Sequence, residues 1–383
     1  MQRPVFDEEH EQFRATVRAF LAKEVVPEFA QWEQNGAPPR DFYRRAGALG
    51  IIGVQVPEEH GGGGQTTFKF NAVLTEEAFR AKVGLGSLRV HMDIVLPYLL
   101  RLATEEQKSR WLPGVGSGEL MTSIAMTEPG TGSDLAGIRT TAVRDGDSWV
   151  INGAKTFITG GLNADLVLVI ARTSPMDDGD RRAGLSIIVV ETAAPGFSVG
   201  RPIAKLGMHA QDTVELSFVD VRVPSTNLLG AEGAGFRYLG QNLPQERLAI
   251  ALGATAAATA AITTTAEYVN ERKAFGQSLA SFQNTKFVLA DCATEVEAAQ
   301  AMCDRALEEH DADRLTGVDA AKVKLFCTEV QGRVVDRCLQ LHGGYGYTLE
   351  FPIARLYADA RVTRIYGGTS EVLKTIIAKS VGV

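Results

Sequence analysis

The stretch AMTEPGTGSD, residues 125–134, is unfit for regular helix or strand. Pro129 fixes its own φ and lacks a donor, while Gly130 and Gly132 allow backbone angles closed to other residues. Such a segment either presents its N–H groups and the Thr127 and Ser133 hydroxyls to a flat, acceptor-rich partner, or is a plain surface turn. Arg272, in ERKAFGQSLASFQ, carries the planar fork that suits a diphosphate; alone it reads equally well as a charge on a helix surface. Gly343 and Gly344, in QLHGGYGY, would let backbone approach a phosphate or would end a helix. Glu246 could move a proton, yet beside Arg247 it also reads as half of a solvated surface pair. Pro244 just before it marks a helix start or irregularity that could turn the carboxylate inward.

Three unlike regions must position these clusters. Residues 1–120 read as helices with polar punctuation. Asp7, Glu8 and Glu9 precede Phe13, Val17, Phe20 and Leu21, the spacing of an amphipathic helix with acids in its first turn. Thr104 is an N-cap with acids behind it, and PEEHGGGG is a break without the GK[ST] ending of a P-loop. Over 121–228 the period changes: runs at 150–158, 165–171, 184–191 and 213–223 are short, rich in Val, Ile, Thr and Phe, and separated by turn residues. They predict a small antiparallel barrel or sandwich. No G-x-G-x-x-G joins a strand to a helix, which disfavours a Rossmann domain. Residues 229–383 return to helix, with an Ala-rich stretch at 233–270 and further helices at 282–310, 316–341 and 370–379, as in a four-helix bundle. The fold class is α+β, mainly α.

Composition narrows the function. At 383 residues the chain can hold more than one core, and 39 basic against 46 acidic residues, net −7, supply no basic block for nucleic acid or an anionic membrane. No apolar run is long enough in this reading to span a bilayer. The histidines form no HxxxH or HExxH pair, so no metal is expected. Cys292, Cys303, Cys327 and Cys338 lack CxxC spacing and read as buried free thiols in a reducing, cytoplasmic setting.

TEPGTGSD resembles the TEPxxGSD signature of the acyl-CoA dehydrogenase family, and KTFITGG, LGMHAQDTVELSFVDVRVP, ERKAFGQSLASFQ, QLHGGYGY and IYGGTSE are similar to further landmarks of that family. The resemblance runs essentially the length of the chain and implies helices, then barrel, then bundle. It also implies FAD as cofactor, with a carboxylate base taking the α-proton of an acyl thioester while the β-hydrogen leaves as hydride to flavin N5, giving a trans-2-enoyl thioester. In the family's terms Ile124, Met126, Thr127 and Gly132 border the flavin, Ser133 stands between flavin and substrate, Phe157 lies against the isoalloxazine, and Ile158 and Thr159 approach N5. Arg272, Phe275, Gln283, Gln340, Gly343 and Gly344 would serve the adenine and pyrophosphate half of a neighbouring subunit's FAD, which implies at least a dimer and usually a homotetramer. Thr369 and Glu371 close the flavin site, and Thr369 or Ser370 can also cap the last helix.

The base departs from the commonest pattern. Many members have YEGTS where this chain has IYGGTSE, so Gly367 occupies the usual glutamate position. LPQER, residues 243–247, resembles the segment that carries the base in the long-chain branch, which assigns the role to Glu246. Gly367 keeps its backbone N–H for the thioester carbonyl, and Leu243, Arg247, Tyr366 and Gly368 fall on the substrate side. The resemblance implies an acyl-CoA substrate in fatty-acid β-oxidation and an electron-transferring flavoprotein as acceptor. Alternatives are the same chemistry on a carrier-protein-bound acyl group, an oxidase or hydroxylase on the same fold, or an inactive flavin-binding homologue.

Overall fold

A computed structural model describes residues 3–176 and 179–383. Six helices open the chain: α1 (Glu8–Phe20), α2 (Phe29–Asn35), α3 (Arg40–Ala48), α4 (Lys69–Arg80), α5 (Leu96–Leu102) and α6 (Glu105–Ser117). Asp7 starts α1 by accepting the Glu9 and His10 N–H groups, and Thr104 starts α6 in a reciprocal pair with Gln107. A π-helical turn, Val90–Val95, leads into α5.

Among the described residues eight strands follow: β1 (Thr122–Ala125), β2 (Thr141–Asp145), β3 (Ser148–Thr159), β4 (Leu166–Arg172), β5 (Leu185–Glu191), β6 (Phe197–Val199), β7 (Thr213–Pro224) and β8 (Leu228–Leu229). Their order is β6-β7-β3-β2-β4-β5-β8, with β1 beside β4. The expectation of purely antiparallel pairing needs correction at β4, which takes β1 and Thr141 at the start of β2 as parallel neighbours. Strand β4 is buried on both faces: Leu166, Leu168 and Ile170 pack with Tyr98, Leu99 and Trp111 of the helices, while Val167, Val169 and Ala171 join Trp149 and Phe218 inside the β domain. That double burial explains its unbroken apolar run. It also seats the helices containing Tyr98 directly on the sheet.

The bundle is built on α7 (Gly235–Glu271), a 37-residue helix that packs against α8 (Gln283–Asp311) and α9 (Gly317–His342). A small hairpin, β9 (Lys273–Ala274) and β10 (Gln277–Ser278), links α7 to α8. Ala251, Ala254, Ala257, Ala258 and Ala261 bring the axes close around the buried Cys292, Cys303, Cys327 and Cys338. Sequence reading passed over α10 (Pro352–Thr363), which precedes α11 (Ser370–Ser380). Pro244 neither starts nor breaks α7, which runs straight through it. The carbonyl that loses its N–H partner belongs to Gly240, an exposed residue whose oxygen water can serve.

Candidate active site

Glu246 faces inward from α7 and is only 6% exposed. Its Oε1 accepts the Tyr98 hydroxyl at 3.1 Å and the Asn242 amide N–H at 3.1 Å. Asn242 lies one turn earlier on α7, and Arg101 of α5 donates to its Oδ1, fixing which end of the amide faces the carboxylate. Burial pushes the Glu246 carboxyl above the usual range, against the opposing pull of Asn242 and Tyr98. Nothing donates to Oε2 among the described residues. A buried carboxylate held by one oxygen, with the other free and the proton affinity raised, has the attributes of a general base.

Arg247 is not its surface partner. That guanidinium is buried and donates to the carbonyls of Gly367 at 3.3 Å and Gly317 at 3.4 Å, so it ties the segment before α11 to the bundle. Lys324, wholly buried, donates to the Gly368 carbonyl at 2.6 Å and is pulled down to about 8 by burial. The two cations thus clamp the Gly367–Gly368 turn. The Gly367 N–H has no backbone partner among the described residues. Gly367 has φ +65° and Gly368 φ +96°, both in the region that glycine tolerates. A Cβ on Gly367 would also lie 2.4 Å from Ile250 Cδ1, one turn beyond Glu246. Gly367→Ala should therefore destabilise the protein by about 1–3 kcal/mol from backbone strain alone. In urea titrations, Ile250→Ala added to that variant should relieve the clash and leave the strain; full rescue would show the backbone to be relaxed. Tyr366 lines a cleft that also contains Ile250. Leu243 is half-buried on α7, Thr369 caps α11 by accepting the Val372 N–H at 3.4 Å, and Glu371 stays exposed in its first turn.

The TEPGTGSD loop is anchored by Glu128, whose part in the site was not anticipated. Glu128 and Thr131 exchange backbone hydrogen bonds at 2.9 and 3.0 Å, making a tight turn around Pro129 and Gly130. The Glu128 carboxylate accepts the N–H groups of Arg139 at 2.7 Å and Thr140 at 2.9 Å, and Lys155 Nζ at 2.9 Å. Lys155 also donates to the Met126 carbonyl at 3.0 Å. The Thr156 N–H bonds to the Thr127 carbonyl at 2.9 Å, so the loop and β3 form one floor. Ile124 and Met126 turn their side chains into the packing under the helices. Thr127 is half-exposed, and Gly132 and Ser133 are open.

On β3 the register shifts between Lys155 and Ile158, and Phe157 takes φ +58°. The kink throws the Phe157 ring outward, 64% exposed, while Ile158 enters the β-domain core. Thr159 faces Gln211, whose amide N–H donates to its hydroxyl at 3.4 Å. An aromatic ring forced out of a strand by a strained backbone, beside free hydroxyls and N–H groups, fits one face of a flavin.

A second cleft is lined by Arg272, Gln340, Gly343, Gly344 and Tyr345. The Arg272 guanidinium lies 5.3 Å from the Tyr345 ring centroid. Gly343 takes φ +59°, which glycine tolerates, while a Cβ added at Gly344 would meet nothing within 4 Å, so neither packing nor a positive φ within this chain requires a glycine at 344. Approach of another group would. Phe275 is 95% exposed, and Gln283 is also exposed. Arg272 lies 26 residues beyond Glu246 along α7, about 39 Å by the helical rise. Arginine fork, glycine backbone and the outward Phe157 together fit FAD.

The chain matches three consecutive family descriptions: acyl-CoA dehydrogenase N-terminal domain over residues 7–119, middle domain over 123–221 and C-terminal domain over 233–382. It is 43% identical to the mitochondrial long-chain specific acyl-CoA dehydrogenase of Sus scrofa over 99% of this chain and 88% of that protein. It is 35% identical to the acryloyl-CoA reductase (NADH) of Anaerotignum propionicum, over 97% and 94% of the respective chains. Among solved structures, an acyl-CoA dehydrogenase from Geobacillus kaustophilus superposes with a TM-score of 0.96 at 45% identity, covering 100% of both chains. The flavin-fitting floor, the buried carboxylate on α7 and these full-length likenesses agree: the chain belongs to the acyl-CoA dehydrogenase family, FAD-dependent oxidoreductases that dehydrogenate acyl-CoA thioesters.

Proposed function

We propose that Glu246 removes the α-proton of an acyl-CoA and that the β-hydride leaves to flavin N5, giving the trans-2-enoyl-CoA. The observation that carries this reading is the buried Glu246 carboxylate, held through Oε1 with Oε2 free. FAD, when bound, accepts the hydride; the remaining work falls to the protein. Gly367 offers an N–H to the thioester carbonyl, where negative charge grows as the α-proton departs, and one such donor is typically worth roughly 3–4 kcal/mol. Arg247 and Lys324 act from behind by holding the Gly367–Gly368 turn through its carbonyls. Phe157 and Tyr366 exclude water from the reacting carbons.

An anaerobic titration with short, medium, long and branched acyl-CoAs, read as bleaching of oxidised-flavin absorbance, tests this. Bleaching by a free acyl-CoA supports the reading, and the best bleacher identifies the acyl class. Bleaching by carrier-bound acyl groups alone would replace CoA with a carrier protein, and no bleaching by either would leave a non-catalytic flavin binder. The acceptor of the electrons is an electron-transferring flavoprotein, and the setting is cytoplasmic fatty-acid oxidation. Four free thiols, two of them 3.6 Å apart in an S–H···S hydrogen bond, suit that reducing compartment.

The active protein is a homo-oligomer, a tetramer by family resemblance, with each FAD shared by two chains. The estimated 39 Å between Glu246 and Arg272 supports sharing, as do Phe275, Phe287, Tyr347 and Leu349, large apolar residues exposed around the Arg272 end. Two inactive variants should then rescue each other. Co-expressed Glu246→Gln and Arg272→Ala chains should yield mixed dimers with one fully intact site, which draws its base from one chain and its arginine from the other. Activity no higher than that of the separate variants would place both halves of FAD on one chain.

A further inference from the structure

The cleft that contains Tyr366 and Ile250 encloses about 780 Å³ of non-protein space, its open mouth included. It starts at the reacting end, since Ile250 is one turn past Glu246 and Tyr366 precedes Gly367. It then follows Gly253, Ala254 and Ala257 along α7, where small side chains leave room. On this route lies Arg89, from the segment just before the π-helical turn.

Arg89 is partly satisfied. Its Nε donates to Asp93 Oδ2 at 3.2 Å and one terminal nitrogen, Nη2, donates to the Ala249 carbonyl at 2.6 Å. The other, Nη1, lies 2.8 Å from where a Cβ on Gly253 would stand and has no hydrogen-bond partner among the described residues. The side chain is 26% exposed, while Asp93 is buried with its other oxygen accepting the Asn71 amide at 2.9 Å. The charge of Arg89 is therefore already balanced by Asp93. What remains over is an N–H donor on the cleft beside Gly253. A plain methylene chain would cover that donor without pairing it, which weakens its binding.

Building on the acyl-CoA reading above, we propose that this protein prefers acyl thioesters carrying a neutral oxygen, hydroxyl or carbonyl, in mid-chain, where it accepts a hydrogen bond from Arg89 Nη1. A carboxylate is the wrong partner, because it would bring a second anion beside Asp93. Mid-chain follows from the helix: Gly253 is seven residues beyond Glu246, about 10 Å along α7. The oxygen thus sits far from the carbons that react and serves recognition alone.

Calorimetric titration of the FAD-loaded Glu246→Gln protein, which should bind without turnover, separates recognition from chemistry. The probes are saturated acyl-CoAs and chain-matched acyl-CoAs with a hydroxyl placed at successive positions from the middle to the end, plus one ω-carboxylated analogue. The mid-chain hydroxyl should bind roughly tenfold or more tightly than its saturated match, as for a hydrogen bond to a charged group. In Arg89→Met/Asp93→Asn, which removes both charges together and spares the core an unpaired one, that preference should vanish while saturated chains bind at least as well. Equal binding of hydroxylated and saturated chains, a preference that survives the double change, or tightest binding of the ω-carboxylate would each overturn the proposal. Failure of every thioester to bind would instead remove the acyl-CoA reading on which it rests.

Discussion

Glu246→Gln should abolish flavin bleaching by every acyl-CoA while leaving the protein folded and FAD-loaded. The loss should be at least the 10²–10⁴-fold that general-base catalysis usually contributes, measured as the single-turnover rate of absorbance loss. Glutamine preserves the shape and an acceptor for Tyr98 and Asn242, so the change takes away the proton acceptor and little else. A second readout separates this from a packing defect. Burial raises the Glu246 pKa, so the folded state holds that proton more tightly than the unfolded chain does. Its contribution to stability is present below the unfolded pKa and is lost as pH rises through the folded one. At neutral pH the ionised side chain is thus a cost of folding, and the glutamine variant should have a Tm equal to the parent's or higher. Tyr98→Phe should act in the opposite sense on chemistry: with one donor to the carboxylate gone, the Glu246 pKa rises further and the acid limb of the pH–rate profile moves upward. An unchanged profile in Tyr98→Phe, together with residual bleaching in Glu246→Gln, would send the search for the base elsewhere.

What could be read in the sequence depended on whether the physics was local. The caps at Thr104 and Thr369 are interactions between near neighbours, and residue type with spacing suffices to place them, whereas Asp7, read as an acid of the first turn, is the cap that precedes it. The bounds of α8, α9 and α11 were legible to within a residue or so for the same reason. Helix α10 was missed because Pro352 and the preceding glycine-rich turn obscured a short amphipathic run, and β1, β2, β6 and β8 because their few residues carry little periodicity. Glu246 and Gly367 were singled out through a resemblance of motifs. Nothing in that resemblance pointed to Tyr98, which lies 148 positions from Glu246 and read as one apolar residue among several. Arg101 and Asn242 likewise gain meaning only when α5 lies beside α7. Lys155 was in plain sight at the head of KTFITGG, but a lysine in a strand gives no sign that it is wholly buried until Glu128 is set beside it.

That pair supports a second large effect. Lys155→Met should destabilise the protein by about 3–5 kcal/mol, the usual result of removing one member of a buried ion pair, and should weaken retention of FAD as well. Burial would raise the Glu128 carboxyl, but the Lys155 charge and the N–H groups of Thr140 and Arg139 outweigh it and hold the pKa below the usual range. Burial in turn pulls Lys155 down to about 8. A carboxylate with a depressed folded pKa stabilises the fold above its unfolded pKa and ceases to do so as pH falls through the folded value. With the ammonium gone, that depression shrinks, so the midpoint of acid unfolding should move to higher pH. Adding Glu128→Gln should recover only part of the stability, because an amide can accept one of the two backbone N–H groups but offers a donor to the other. FAD retention should stay low in the double variant. The Met126 carbonyl would still have lost Lys155, and the floor formed by Thr127, Thr156 and the strained Phe157 would have lost the fastening beneath it. Calorimetric Tm and flavin absorbance after gel filtration read the two effects separately. A Lys155→Met protein with parental Tm and a full complement of FAD would mean that the loop is held by its backbone bonds alone.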